Sequence, residues 1–175
     1  VDNYYTPKEL KELNPDAKKA EFVQADILKL PFPDNSASHI ENTDVIEHLK
    51  MQSVVPALKE WYRVLKPKGE LMVLTIDFTG LAQHWIDNVG NKPFNLQTFI
   101  EWSEVIYGTQ ADDGQYHKTP FTKEFMELCL QLAGFSKHEV RIVPRGEPAP
   151  PEYRDQAPLG DTVVRSDMLI AHAWK

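Results

Sequence analysis

The run "ELMVLTI", residues 70–76, decides the architecture of this chain. After Glu70 it is apolar at Leu71, Met72, Val73, Leu74 and Ile76, interrupted only by Thr75. A short, nearly continuous apolar run suits a strand buried on both faces, the situation of a sheet covered by helices. Upstream, "KPKG" (66–69) reads as a turn ending a helix that starts at Ser53 and carries Pro56 in its first turn. Val54, Leu58, Trp61 and Leu65 fall on one face of that helix. Before it, "SHIENTDV" (38–45) reads as a weaker strand and "AEFVQAD" (20–26) as another. "TPKELKELNPDA" (6–17) reads as a short helix capped by Thr6 and stopped at Asn14-Pro15.

Downstream of the central run, segment 79–107 is mostly helical by pattern. "TKEFMELCLQLAGF" (122–135) is an amphipathic helix with Thr122 as its cap and Gly134 at its stop. "HEVRIV" (138–143) and "DMLIAHAWK" (167–175) read as strands. The proline-rich loop at 144–166 joins them without a helix, so they are expected to pair antiparallel. Strands alternating with helices imply one α/β domain over 1–175, its sheet mainly parallel with an antiparallel C-terminal pair.

A chain of 175 residues with 42% apolar residues can bury a real core. Its net charge of −7 argues against general nucleic-acid or membrane-surface binding. One cysteine, Cys129, excludes an internal disulfide framework and suits a reducing compartment. No apolar run approaches a membrane span and no signal peptide is visible, so the expected location is cytoplasmic.

Three places carry candidate chemistry. In "ADILKLPFPDNS" (25–36), Asp26 and Ile27 stand at the tip of the expected strand before a stiff Pro-Phe-Pro loop. The pair reads either as a turn cap or as one wall of a pocket for a flat, hydrogen-bonding ring. In "DVIEH" (44–48), a helical start places Asp44, Glu47 and His48 on one face, where they can bind a divalent metal or shape a cleft. In "GTQADDGQYHK", His117 lies in a polar loop before a helix, a plausible place for an imidazole facing substrate. The aromatics Trp61, Tyr62, Trp85, Phe99 and Trp102 read as core or cap packing, not as a nucleic-acid stacking platform.

The run "DILKLPFPDNSASHIENTDVIEHL", followed by "ALKEWYRVLKPKGELMVLTIDF", resembles the middle of a class I S-adenosylmethionine-dependent methyltransferase of the type 11-like branch. That branch shows D-x-x-x-L-P-F-x-D-x-S, then V-L-E-H, then a helix ending R-V-L-K-P-G-G; "IYGTQADDGQYHKTPFTKEFMELCLQLAGF" is similar to its distal half. The resemblance covers roughly residues 20–143 and implies a Rossmann-like sheet and S-adenosylmethionine as cofactor. It implies that Asp26 accepts from the adenine amino group, that Ile27 packs on the ring, that Asp2 bridges the ribose hydroxyls, and that Asn42 belongs to the cofactor site. Some methyltransferases of catechol-like rings or RNA termini use Glu-x-x-Glu-His as metal ligands, which Asp44, Glu47 and His48 resemble; many relatives keep Glu-His without metal. His48 and His117 are the candidate catalytic bases.

The chain departs from the pattern at its start. No Gly-x-Gly occurs and no glycine precedes Asp26, so the family's first strand and glycine-rich cofactor loop are absent from the sequence. It is therefore expected to be N-terminally truncated relative to the family, with one edge of strand 38–45 unpaired. That edge favours a homodimer, unless strand 20–26 closes the gap. Two functions follow: methyl transfer to a small-molecule or sugar-related acceptor, or a non-catalytic methyltransferase-like remnant acting as an interaction module.

Overall fold

The computed structural model of the chain describes residues 8, 21, 23–148 and 167–175. Its strands are β1 (Ala37–Thr43), β2 (Leu65–Ile76), β3 (Lys137–Val143) and β4 (Met168–Trp174). Its α-helices are α1 (Met51–Val64), α2 (Phe78–Trp85), α3 (Leu96–Tyr107) and α4 (Lys123–Ala133). A 3-10 turn occupies Ile46–His48, and a π-type turn, Ile86–Gly90, extends α2. Among the described residues no helix is long and apolar enough to cross a membrane.

The sheet has the order β1-β2-β4-β3. β1 and β2 pair in parallel from Ile40 opposite Leu71 to Thr43 opposite Leu74. β4 lies antiparallel to both β2 and β3. Three of the four described strands therefore run the same way, and β4 alone is reversed. The antiparallel C-terminal pair expected from the sequence is present. Leu71–Thr75 are buried, as the apolar run requires of a strand with neighbours on both edges.

Side-chain spacing places the helices on this sheet. α1 buries Val54, Ala57, Leu58, Trp61 and Val64, one stripe at helical spacing. α4 buries Met126, Cys129, Leu130 and Ala133. Thr122 caps α4 by accepting the Phe125 N–H, and Gly134 ends it in the left-handed conformation, both as expected. These stripes meet Leu71, Val73, Val140, Leu169, Ala171 and Ala173 in the main core. The opposite sheet face has a smaller cluster of Met72, Leu74, Val143, Met168 and Ile170.

Three local expectations are corrected. α1 begins at Met51, two residues before Ser53, so Pro56 falls in the second turn and removes one backbone donor there. "KPKG" is not a turn between helix and strand, because β2 starts directly at Leu65. Residues 66–69 form a bulge inside β2, across which the pairing jumps from Ala37–Leu65 to His39–Glu70. Lys68 takes φ 67°, its N–H donates to the Lys175 carbonyl at 2.8 Å, and Lys175 N–H returns to Gly69 O at 3.1 Å. A Cβ on Gly69 would stand 2.8 Å from Lys66 O and 3.2 Å from Ser38 O, so only glycine fits. This pairing partner is the far end of the chain, which no local pattern reveals.

The third correction concerns 20–26. Among its described residues none joins the sheet, and only Gln24 forms an isolated bridge. Asp26 begins a turn instead, accepting Leu28 N–H at 2.8 Å through Oδ1 and Lys29 N–H at 2.9 Å through its carbonyl. Arg63 then clamps the loop to α1. It donates to Asp34 at 2.6 Å, Phe32 O at 2.9 Å and Leu30 O at 3.3 Å, while Glu60 braces it at 2.7 and 2.8 Å. The expected helix at 6–17 lies outside the described residues except Lys8, as does 149–166 of the expected loop.

Leu71 is fully buried, so Leu71→Ala is expected to cost about 2–5 kcal/mol in chemical denaturation. Cys129 is buried and its thiol is pushed up to about 11 by that burial. It is therefore expected to resist an aromatic disulfide reagent at pH 8 in the native chain and to react fully once unfolded.

Candidate active site

The C-terminal ends of β1 and β2 open onto a cleft. After β1, Asp44 takes φ 49° and donates its N–H to Leu74 O at 3.0 Å, turning the chain into the Ile46–His48 turn. Ile46 is fully buried and anchors this turn in the main core. Glu47 is buried beneath it. Its Oε2 accepts the Thr75 hydroxyl at 2.9 Å, while its Oε1 is buried without a hydrogen-bond partner.

The segment before α4 is stitched onto this turn. Lys118 and Thr119 N–H both donate to Glu47 O, at 2.7 and 3.1 Å, and Thr119 Oγ1 donates to Leu49 O at 2.7 Å. His48 Nδ1 meets Tyr116 O at 3.1 Å. The other side of the segment is held by α3, where His117 N–H donates to Tyr107 O at 3.0 Å and His117 Nδ1 meets Val105 O at 3.0 Å. The two imidazoles end up edge to face, with ring centroids 4.7 Å apart and planes at 74°. A carbonyl oxygen only accepts, so each Nδ1 carries the proton and each Nε2 of the neutral ring keeps a lone pair.

Gly108 permits this arrangement. It ends α3 at φ 78°, and a Cβ there would lie 1.7 Å from Gln115 O. No other residue lets the loop carrying His117 approach α3 so closely.

Burial sets the electrostatics. Glu47 is pushed up to about 8, chiefly by desolvation and secondarily by Asp44, against the lowering effect of its own backbone and the Thr75 hydroxyl. At neutral pH it mostly keeps its proton. Asp44 is pushed up to about 6 by desolvation, yet its side chain is exposed at the surface, so water moderates its shift more than that of Glu47. Burial lowers His48, with His117 beside it adding to the effect, and burial lowers His117 likewise. Both rings are neutral at physiological pH.

Two cavities flank the cluster. One, of about 320 Å³, is largely apolar, with Ile76, Phe78, Leu81, Val105 and Ile106 around Glu47 and His117. The other, of about 360 Å³, is more polar and is lined by Asp44, Glu47, His48, Gln115 and His117. At the end of β1, Asn42 Oδ1 and Thr43 Oγ1 are buried without partners. Unpaired buried polar atoms are costly and mark places where a ligand can complete the hydrogen bonding.

The structure brings His48 and His117, two separate candidates, together and sets Glu47 beside them. Asp44 lines the second cavity but stands outside the group of donor atoms formed by Glu47, His48 and His117. Asp26 is exposed and Ile27 half-buried, neither lines the two cavities, and Asp2 lies outside the described residues. Sequence reasoning missed Thr75, Gly108 and Thr119. For Thr75 there was a signal: one hydroxyl near the C-terminal end of an otherwise apolar strand.

Comparison with known proteins places the fold. Residues 4–73 match the model of a methyltransferase domain family. An uncharacterized protein of Methanocaldococcus jannaschii is 32% identical over 91 residues, which cover 50% of this chain and 39% of that protein. The chain spans about two fifths of the length of the curated relatives it matches. An S-adenosylmethionine-dependent methyltransferase from Methanosarcina mazei superposes with TM-score 0.58 at 15% identity, covering 99% of this chain and 79% of that one. A 1,6-didemethyltoxoflavin-N1-methyltransferase from Burkholderia thailandensis, solved with 1,6-didemethyltoxoflavin and S-adenosylhomocysteine, superposes with TM-score 0.56 at 14% identity, covering 98% and 58%. The fold is that of the class I S-adenosylmethionine-dependent methyltransferases, and the resemblance read from the sequence is borne out.

Gly108→Ala is expected to displace the 115–117 segment. Thermal melting should drop, by roughly 1–3 kcal/mol of strain or more, and nuclear Overhauser contacts between the His48 and His117 rings should vanish.

Proposed function

We propose that this chain is a methyltransferase domain that binds S-adenosylmethionine across the C-terminal ends of β1 and β2 and serves a small, largely apolar acceptor. The observation that carries the reading is the position of the apolar cavity. It opens where the parallel strands end, the place at which α/β sheets take their ligands. When bound, S-adenosylmethionine supplies an electrophilic methyl group on sulfur.

The chain's own residues fit that cofactor. Asn42 Oδ1 and Thr43 Oγ1 are buried polar atoms in need of a partner. Asp26 spends one oxygen on Leu28 N–H, and a carboxylate has capacity for a further donor such as the adenine amino group. Ile27 stands beside it as the apolar wall, and Asp2 is assigned to the ribose by the resemblance alone. On the acceptor side, Ile76, Phe78, Leu81, Val105 and Ile106 exclude water and hold a small apolar body. His48 or His117 takes the proton of an acceptor hydroxyl or amine at Nε2, since both rings are neutral and held by backbone carbonyls. Glu47 at the floor offers one unpaired oxygen to orient a polar group of the acceptor.

S-adenosylhomocysteine titrated into the chain is expected to raise its melting temperature, by about 2.7 kcal/mol of stability at a hundredfold excess over Kd. Asn42→Ala and Asp26→Ala should each reduce the shift. An unchanged melting curve at millimolar ligand would leave the cofactor reading without support and favour a non-catalytic domain.

A further inference from the structure

We propose that Glu47, His48 and His117 form a binding site for a divalent transition-metal ion, with Zn²⁺ or Co²⁺ as fitting occupants. One donor atom from each residue can be chosen so that all three lie within 4.8 Å of one another. All three residues line the same cavity of about 360 Å³, which leaves room for water or substrate to complete the coordination. Tetrahedral ligands at about 2.1 Å from an ion stand about 3.4 Å apart, so the widest pair must close by at most about 1.4 Å.

Three features distinguish this group from a chance cluster. The first is the outer layer. His48 Nδ1 is engaged by Tyr116 O and His117 Nδ1 by Val105 O, which fixes both tautomers and leaves Nε2 as the ligating nitrogen of each ring. Histidine ligands are characteristically oriented in this way. The second is Glu47. Its Oε2 is held by Thr75, its Oε1 is buried without a partner, and among the described residues it forms no ion pair. A dication can take the vacant position at this buried oxygen. The third is rigidity. The two segments that contribute ligands are joined by Lys118 and Thr119 N–H to Glu47 O and by Thr119 Oγ1 to Leu49 O.

The donor set selects the class of ion. Two imidazoles and one carboxylate with open positions suit Zn²⁺, Co²⁺ or Fe²⁺ over Mg²⁺ or Ca²⁺, which prefer oxygen alone. Asp44 is not a ligand in this assignment; it lines the cavity and takes part through water at most. The use of the ion rests on the proposed function: a dication beside the apolar cavity binds an acceptor oxygen and lowers its pKa, replacing a histidine base. Binding of the ion itself does not depend on that reading.

The test is titration of the chelator-treated full chain with CoCl₂, followed by calorimetry and visible absorption. One equivalent is expected to bind with d–d bands that report nitrogen and oxygen ligands. His48→Ala and His117→Ala should each weaken binding beyond the roughly 10–100-fold that loss of an outer partner costs. Because either variant can lose its fold, histidine nitrogen spectra of the unmodified chain with ZnCl₂ provide a second reading. The Nε2 signals of His48 and His117 should move, while those of His39, His84, His138 and His172 stay in place. No heat and no bands, undiminished binding in both variants, or movement of other histidines alone would overturn the assignment. If S-adenosylhomocysteine still stabilises a chain that binds no cobalt, the metal site fails and the cofactor reading stands.

Discussion

The molecule is organised by the confinement of β2. Leu71–Thr75 are buried on both faces, and β1 on one edge and β4 on the other take up the backbone hydrogen bonds. A strand so enclosed cannot shift register without exposing its whole apolar set. Its C-terminal end is therefore fixed in space, and the site is built from that end. Thr75 Oγ1 holds the Glu47 carboxylate, and Leu74 O holds the N–H of Asp44 where the chain leaves β1.

A buried carboxylate at that point is a liability for stability. It carries one unpaired oxygen, and desolvation, with Asp44 nearby adding to it, pushes its pKa up to about 8. A well-packed apolar residue would serve the fold better. The hydrogen bonds gathered around Glu47 point to a purpose beyond packing: its backbone carbonyl takes two N–H donors and its side chain takes a hydroxyl. These contacts bind the 115–119 segment to the turn after β1 and set two neutral imidazoles beside the acid. The proposed proton acceptor pair and the proposed ion site draw on the same geometry.

Much of this was legible in the sequence, and the failures have physical reasons. The apolar run at 70–76 identified the central strand because burial on both faces leaves a continuous pattern. Thr122 and Gly134 marked α4 because capping chemistry is local. His48 and His117 were singled out separately, but their contact was not, since it is set across 69 residues by backbone hydrogen bonds that do not depend on side-chain identity. The bulge at 66–69 was misread as a turn because its partner is Lys175. The strand expected at 20–26 gave way to a turn at Asp26, where the carboxylate satisfied its own downstream N–H. Gly108 carried no signal either, because the constraint on it comes from Gln115 O.

The central claim is that a cofactor lies across the C-terminal ends of β1 and β2. A ¹H–¹⁵N spectrum of the chain recorded with increasing S-adenosylhomocysteine tests it most directly. The account predicts that the backbone signals of Asp26, Ile27, Asn42, Thr43 and Asp44 move together and saturate, while those of the 66–69 bulge, at the opposite end of β2, stay fixed. A spectrum unchanged throughout, or changes confined to residues away from the β1 and β2 ends, would contradict it.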